Sequence, residues 1–567
     1  MIILNFFLAL ILLGGVIIPS AISVSGEIDQ SYAWSSGGNC SSQPKDVCGT
    51  LKLLNDSWLT TCHENYVAKI HDTVDEHSTN GLAIIQDILQ GTGFLEYTFL
   101  FSGYYPAAIE NGRYIVSLAY LLTVFVTYVV SFIFVIRSVA KFLRNISSAT
   151  NDYGMVFAKI VFTGWDFNIK EANAAKIANS LFVSEVRAAF DEEDYNIRSQ
   201  KLTKYQRIAL YLRRVLINII ILSLIGVSWA GIYFLIKEAQ QNENRTALLD
   251  FIWEYAPTLT VAALNIVFPI IFGILVRFER YKGSLELFLT LSRCVLVRLI
   301  SLAILIISKV GLISQQSRVC EADNEFICWE TYLGQQVYSV LILDALIQLG
   351  NTLIVNVARS QLKKIDNNIC KSIGAIEFNV PGHVLDVVYV QAVCWIGVLY
   401  SPLIVTGSLL YFCILFALKL FTVTFICVPA TRVFRTSKSS AMFMTILAFA
   451  FFMCLVPNGL ALFYLCPSLA CSPFRGLGYA WQSVTYYICS LSDGAYWIRS
   501  VLFTVDETVV LIALLLVVFI LAVYYIALFG ARGQMIQDLE KRLKTASKDK
   551  NLLLQEYNRA QKLYAQG

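Results

Sequence analysis

The sequence has little charge. Only 15% of its 567 residues are charged, whereas a soluble globular domain usually carries about a quarter. Hydrophobic residues make up 57%, and the mean hydropathy is +0.62. This composition excludes an ordinary soluble domain and indicates a membrane protein. The net charge of +4 is small and no basic stretch is interleaved with aromatics, so we expect no nucleic-acid partner.

The common catalytic motifs are also missing. The chain has no Walker A loop, no Gly-x-Ser-x-Gly elbow and no His-Glu-x-x-His. It holds only four histidines, and no Cys/His cluster has the spacing of a zinc site. We therefore predict no enzymatic activity, no ATP-driven transport, no metal and no cofactor.

What the chain does have is long apolar runs. A bilayer core about 30 Å thick needs roughly 20 apolar residues in a helix. Ten runs qualify, which predicts an all-α polytopic membrane protein of about ten spans. The seventh and eighth spans are separated only by Tyr400, Ser401 and Pro402, which predicts a tight hairpin. The predicted spans are 2–22, 114–136, 215–236, 257–276, 293–313, 333–355, 384–400, 403–427, 440–463 and 506–529.

Loop charge predicts the orientation. If the first span exits to the outside, the inner segments hold 31 Lys and Arg in 172 residues and the outer segments hold 9 in 174. Cytosolic loops carry the excess of Lys and Arg, so both ends should be cytosolic. The long loops are then 23–113 outside and 137–214 inside, and the tail 530–567 lies inside.

Cysteines and glycosylation sequons agree with this orientation. Sequons at Asn39, Asn55 and Asn244 fall on the predicted outer side. Eight cysteines fall there too, and an oxidising compartment permits pairs such as Cys320–Cys328 or Cys466–Cys471, although spacing alone does not fix pairing. These features predict a multi-pass protein of the plasma membrane or of the Golgi and secretory pathway.

Three segments have alternative interpretations. Residues 2–22 resemble a signal peptide, but Met1–Asn5 has no basic residue and the run is long for one, which favours a span. The loop 137–214 is predicted to form amphipathic helices against the membrane. The tail carries a heptad series, and packing on the chain's own body is slightly favoured over a dimer or partner contact. The series is Ile536, Leu539, Leu543, Ala546, Lys550, Leu553, Tyr557, Ala560 and Tyr564.

Polar residues inside spans are the candidate functional residues, because an ionisable group is costly in the bilayer. Asp344, Gln348 and Asn351 share one face of the sixth span. Asp386 lies near the start of the seventh and Asn265 in the fourth. A stripe of this kind is either interhelical contact, with Asp344 paired to Arg298 or Lys309, or the lining of a wet pathway. Polar residues on three neighbouring spans favour the pathway.

Several motifs resemble those of the transmembrane channel-like (TMC) family, over essentially residues 2–565. The most specific is Cys328-Trp329-Glu330-Thr331 followed by Gly334-Gln335-Gln336 and Tyr338. It departs mildly from the family pattern, which has Glu at the position of Gln336. Other similar segments are 93–105, 162–167, 395–403, 429–438 and 471–474, and the tail is closer to the non-sensory branches.

The resemblance implies a fold similar to the scramblase and mechanosensitive-channel superfamily, usually dimeric, with spans four to seven lining a groove within 257–400. Asp344 and Asn265 match polar pore positions of sensory members. Asn379 stands where those members have Asp, which removes one acidic charge at the pore entrance, and Asp386 partly substitutes for it. Family members also have a long charged N-terminal region. This sequence begins within the first span, as either a truncated isoform or an incomplete gene model would.

These observations predict an ion channel, conducting cations and opened by membrane tension. Asp344 would attract cations with help from Asp386, while Gln348, Asn351 and Asn265 coordinate them. The partners expected are the lipid bilayer, inorganic ions, a second copy of the chain and a calcium- and integrin-binding protein on the cytosolic side. The alternatives are a lipid scramblase and a non-conducting scaffold that binds regulators or a transporter.

Overall fold

A computed structural model gives the fold. It describes residues 1–24, 56–77, 81–106, 115–149, 162, 169, 171–241, 247–281, 283–316, 327–362, 378–427, 436–484 and 532–561 apart from 534, 537, 538 and 560. Within these ranges the chain is helical or irregular and contains no β-strand. Eight of the described helices are long and apolar enough to cross a membrane. The predicted class, an all-α polytopic membrane protein, is confirmed.

The helices are named in chain order. Their bounds are α1 (Ile2–Leu12), α2 (Ile18–Val24), α3 (Asp56–His77), α4 (Gly81–Gln90), α5 (Val116–Ala149), α6 (Ala172–Gln200), α7 (Lys204–Gln241), α8 (Ala247–Glu279), α9 (Gly283–Gln316), α10 (Trp329–Gly350), α11 (Val357–Leu362), α12 (Val380–Gly397), α13 (Ile404–Phe421) and α14 (Thr436–Tyr464). Short π-helical segments follow α1, α10 and α13, at Leu13–Ile17, Asn351–Asn356 and Thr422–Ile426.

Most predicted spans fall inside these helices. The fifth predicted span, 293–313, lies within α9, although α9 is not among the eight candidates. The tenth, 506–529, lies outside the described residues. The predicted hairpin is present, because α12 ends at Gly397 and α13 begins at Ile404. Its turn is closed by hydrogen bonds from the amides of Tyr400 and Ser401 to the carbonyl of Gly397.

The chain divides into two compact units, and the larger contains most of the helices. At its centre Trp395 is almost fully buried and packs edge-on against Phe451 at 4.9 Å. The indole donates to the Ser131 hydroxyl over 3.1 Å. The Trp395 carbonyl accepts from the Tyr128 hydroxyl and from the Asn458 amide. A membrane helix core needs such internal partners, since the bilayer offers none.

The predicted outer loops meet in one structure, here called the loop cap (residues 61–77, 81–106 and 465–484). The Cys328–Cys471 disulfide joins α10 to the last predicted outer loop across 143 residues. The suggested pairs Cys320–Cys328 and Cys466–Cys471 are therefore wrong, because both Cys328 and Cys471 are occupied by each other. Cys62 and Cys466 each take part in a disulfide as well. Neighbouring cysteines in a loop do not pair when the fold brings a distant cysteine closer.

The smaller unit contains residues 134–189, 434–445 and 507–567. Its described part includes the first half of α6 and a tail helix over 539–559. The heptad residues Leu539, Leu543, Leu553 and Tyr557 are all more than half exposed. Whether the tail packs on its own chain or contacts a second copy or another partner stays a prediction.

Candidate ion pathway

Asp344 lies on α10 and faces α13. Its carboxylate accepts a hydrogen bond of 2.5 Å from the Tyr411 hydroxyl. No ion pair to Asp344 occurs among the described residues, so the suggested partner Arg298 is wrong. The side chain of Lys309, the other suggested partner, lies outside the described part of the chain. Among the described residues, the carboxylate is thus held by a neutral donor and has no direct ion pair.

Asp386 is the centre of a charged cluster between three helices. Its two carboxylate oxygens lie 3.4 Å from Arg298 of α9 and 3.4 Å from Lys419 of α13. The His383 ring, one turn earlier on α12, is 3.7 Å away. The three main side chains are only 11% to 18% exposed. Burial of charges requires such pairing, because an isolated ion inside a protein or membrane is costly.

Gln348 and Asn265 extend this cluster on either side. The Gln348 amide oxygen accepts from Lys419 over 3.3 Å. The Asn265 backbone carbonyl accepts from Arg298 over 3.5 Å, so α8 contributes its backbone to this contact. The guanidinium of Arg298 also lies 5.4 Å from the centre of the Tyr389 ring. The Arg298 Nε is buried and has no hydrogen-bond partner among the residues that the structure describes.

The structure thus brings together four of the six residues predicted to line a pathway: Asp344, Gln348, Asn265 and Asp386. Asn351 begins the π-helical segment after α10 and is exposed. Asn379 caps the start of α12, where its side chain accepts from the amide of Gly382. Its position is therefore explained by helix capping.

Sequence reasoning missed two residues of the cluster, Lys419 and Tyr411. Lys419 is the one Lys or Arg in the eighth predicted span, and an ionisable residue inside an apolar run is a signal that should have marked it. Tyr411 carried no such signal, because tyrosine is common in membrane helices and its hydroxyl finds Asp344 only once α10 and α13 pack together.

The family motif Cys328–Gln335 lies at the other end of α10 and fixes it to the loop cap. Trp329 donates to the Cys466 carbonyl over 3.0 Å, and Glu330 accepts from the Ser468 amide over 2.8 Å. Gln335 donates to the Gly91 carbonyl over 3.2 Å. Thr331 and Gly334 are buried in close contact with the cap. The motif therefore anchors the helix that carries Asp344 and does not itself contact the charged cluster.

A metal at this anchor is not supported. Cys328, Glu330 and Cys471 have ligand-type atoms within 4.8 Å of one another. The two sulfurs form a disulfide with each other, and only a thiolate binds a metal. One carboxylate alone remains in this group, which does not make a site.

Comparison with known proteins agrees with the motif. A family model described as "TMC domain" matches residues 328–437. The chain is 29% identical to mouse voltage-gated chloride channel TMC4 over 83% of this chain and 68% of that protein. It is 27% identical to mouse transmembrane channel-like protein 8 over 70% and 56% of the two chains.

The rat transmembrane channel-like protein 5 is 24% identical over 84% of this chain and 49% of that protein. The chain thus spans between about half and two thirds of the length of these relatives. The family model includes the Cys328–Gln335 anchor and α10, α11, α12 and α13. This protein is an integral multi-pass membrane protein, and it is similar in sequence to members of the transmembrane channel-like family.

Proposed function

We propose that this protein is a membrane ion channel whose ions pass along the charged cluster between α8, α9, α10, α12 and α13. The observation that carries the proposal is the buried network of Asp386, Arg298 and Lys419 with Gln348 beside it. Polar and charged groups within membrane helices are costly and are typical of ion and substrate pathways. The channel names of the relatives support the same class.

The charges of the network favour anions. Arg298 and Lys419 carry two positive charges and Asp386 carries one negative charge, so the network has one positive charge in excess. The buried Arg298 Nε also has no acceptor among the described residues. A passing anion would accept from such donors. The relative named as a voltage-gated chloride channel, 29% identical, is consistent with this assignment.

Cation conduction under membrane tension is the second candidate, as the sequence analysis expects. The observation that favours it is Asp344, whose carboxylate has a hydrogen bond from Tyr411 and no ion pair in the described ranges. An unbalanced carboxylate beside the pathway would attract cations. The assignment based on Lys419 predicts anion selectivity, and the assignment based on Asp344 predicts cation selectivity, so one current recording distinguishes them.

The test is reconstitution of the purified chain in liposomes, with patches held under graded voltage and graded suction across a tenfold KCl gradient. A reversal potential near the equilibrium potential of chloride supports the anion channel. Lys419→Gln should then lower the ratio of chloride to potassium permeability about tenfold, the effect of roughly 1.4 kcal/mol. Lys237→Gln, which alters an exposed lysine near the end of α7, is the matched control.

Other outcomes would replace the proposal. A reversal potential near the equilibrium potential of potassium, moved toward zero by Asp344→Asn, would establish the cation assignment instead. Current that depends on suction alone would identify tension as the stimulus. Absence of current, together with a rapid and complete loss of the fluorescence of labelled lipid after dithionite is added, would indicate a scramblase. Silence in both assays from folded, inserted protein would favour the scaffold.

The proposed protein partners are a second copy of the chain and a calcium- and integrin-binding regulator. The exposed heptad residues on the tail support the first. Exposed Ile177 and Leu181, one turn apart on α6, offer an apolar surface for the second. Crosslinking in liposomes, with and without Leu543→Lys, tests the dimer, since a charge in a heptad seam disfavours pairing.

A further inference from the structure

The short helix α4 has its polarity reversed for a helix in water. Ile84, Ile85 and Ile88 lie on one face and are 38%, 56% and 45% exposed. Phe94, just after the helix, is 45% exposed. The one charged residue of α4, Asp87, is 2% exposed. A helix facing water places its apolar stripe inward, so this helix is built for a different environment.

The buried Asp87 has a local role that explains its inward position. The Asp87 carbonyl accepts from the amide of Gly91, and its carboxylate accepts from the Thr92 hydroxyl over 2.8 Å. Gly93 has φ +54°, and an added Cβ there would lie 2.3 Å from the carboxylate. The aspartate thus fixes the turn that ends α4. With that side turned inward, the isoleucines necessarily point away from the cap.

The outward face of α4 is continuous with the apolar face of α10. Three hydrogen bonds join the two helices: the side chains of Gln335, Tyr338 and Ser339 donate to the carbonyls of Gly91, Ile88 and Gln90. Continuing along α10 from Tyr338 at three- and four-residue steps leads to Leu346, Leu349 and Leu353, which are 38% to 48% exposed. Asp344 and Gln348 lie on the opposite face.

The position of the contact between α4 and α10 along α10 also fits the membrane–water boundary. The candidate span Trp329–Gln361 has 33 residues, a helix of about 50 Å, whereas the bilayer core is about 30 Å. The outer end, which holds Glu330 and is fixed to the cap, therefore extends beyond the core. The apolar run of α10 begins near Val340, directly after the three residues that bind α4. Tyr338 at this level is typical of the membrane–water boundary.

We propose that α4 is an interfacial helix that inserts Ile84, Ile85, Ile88 and Phe94 into the outer leaflet of the bilayer. The occupant of this face is lipid, because the face continues the lipid-facing strip of α10 and carries no exposed charge. Three hydrogen bonds then connect a leaflet-bound helix to the helix that carries Asp344. This proposal concerns lipid contact and does not depend on which ion the protein conducts.

The experiment places an environment-sensitive fluorescent amino acid at position 85 of the full chain, reconstituted in phosphatidylcholine liposomes. Phosphatidylcholine carrying a nitroxide at a shallow acyl carbon is the quencher. The matched control places the fluorophore at position 72, because Asp72 is exposed on the polar helix α3 of the same cap. Position 88 provides a second reporter should the variant at position 85 misfold.

We expect blue-shifted emission at position 85 and quenching at least about threefold stronger than at position 72. Equal, weak quenching at both positions would overturn the proposal. Blue-shifted emission without lipid quenching would also overturn it, since the face would then be covered by protein. Crosslinking between labelled and unlabelled copies would show in that case whether the cover is a second copy or another segment of the same chain.

Discussion

Replacing Asp386 with Asn should damage the protein far more than replacing Asp344 with Asn. Asp386 is the carboxylate that lies 3.4 Å from both Arg298 and Lys419. Its removal leaves two largely buried cations without a counter-charge. Breaking a buried ion pair by removing one partner typically costs about 3–5 kcal/mol. We therefore expect a loss of this order for Asp386→Asn.

Asp344 provides a matched control in the same bundle. Its partner is the Tyr411 hydroxyl, which an Asn carbonyl can still accept from. The change converts a charged hydrogen bond into a neutral one, a loss of about 1 kcal/mol. Both variants replace an aspartate with an asparagine. The difference between their losses of unfolding free energy, at least about 2 kcal/mol, therefore isolates the effect of the unpaired cations.

The assay is unfolding of the purified protein in mixed micelles with increasing SDS, followed by tryptophan fluorescence and by helicity. The double variant Asp386→Asn with Lys419→Gln should recover part of the loss, because one of the two unpaired cations is removed. Equal destabilisation by Asp386→Asn and Asp344→Asn would refute the reasoning. So would a double variant that is less stable than Asp386→Asn alone by the full cost of Lys419→Gln.

Two further predictions concern the loop cap and its anchor. Gly334→Ala should destabilise by about 1–3 kcal/mol, because its Cβ would lie 2.8 Å from the Phe101 ring; Gly350→Ala in the same helix, with no atom within 4 Å, should be tolerated in the same SDS titration. Burial, then the charge of Arg475, lowers the pKa of His63 to about 4 from 6.5, so the unfolded chain takes up its proton first. Stability should rise by about 3 kcal/mol between pH 4 and 6.5, and His63→Gln should reduce this slope.

The Glu96 carboxyl of the loop cap changes stability with pH in the opposite direction to His63. It is present in both the wild type and His63→Gln. Burial raises the pKa of the Glu96 carboxyl, with a hydrogen bond from Tyr66 opposing the shift. The folded protein therefore holds this proton more tightly than the unfolded chain, and the stabilisation from it declines as pH rises. The difference between wild type and His63→Gln removes this shared contribution. An unchanged pH slope in His63→Gln would contradict the assignment.

Local sequence signals predicted much of the architecture. Apolar runs of about 20 residues must be helical in a bilayer, since only internal hydrogen bonds satisfy the backbone there. Helical periodicity also placed Asp344 and Gln348 on one face of α10. The turn at Tyr400–Pro402 followed from its position between two apolar runs. Each of these features depends on residues that are close in the chain.

The pairing of charges did not follow from such signals. Arg298 is 88 residues from Asp386, and Lys419 is 33 residues away. Which of two aspartates a buried arginine meets depends on the rotation and depth of each helix, and no local pattern encodes these. For this reason the sequence offers Arg298 or Lys309 as a partner of Asp344 in only one of two interpretations, and it does not point to Lys419 as a partner of Asp386.

The amino-acid sequence by itself thus determined that the chain is a helical membrane protein, where most of its described membrane helices lie and which residues are costly to bury. Only the tertiary structure decided that Cys328 meets Cys471, that Asp386 meets two cations and that α4 turns its isoleucines outward. The physical reason is that hydropathy and helix period are properties of neighbouring residues. Pair contacts between distant segments are decided by how complete helices pack together.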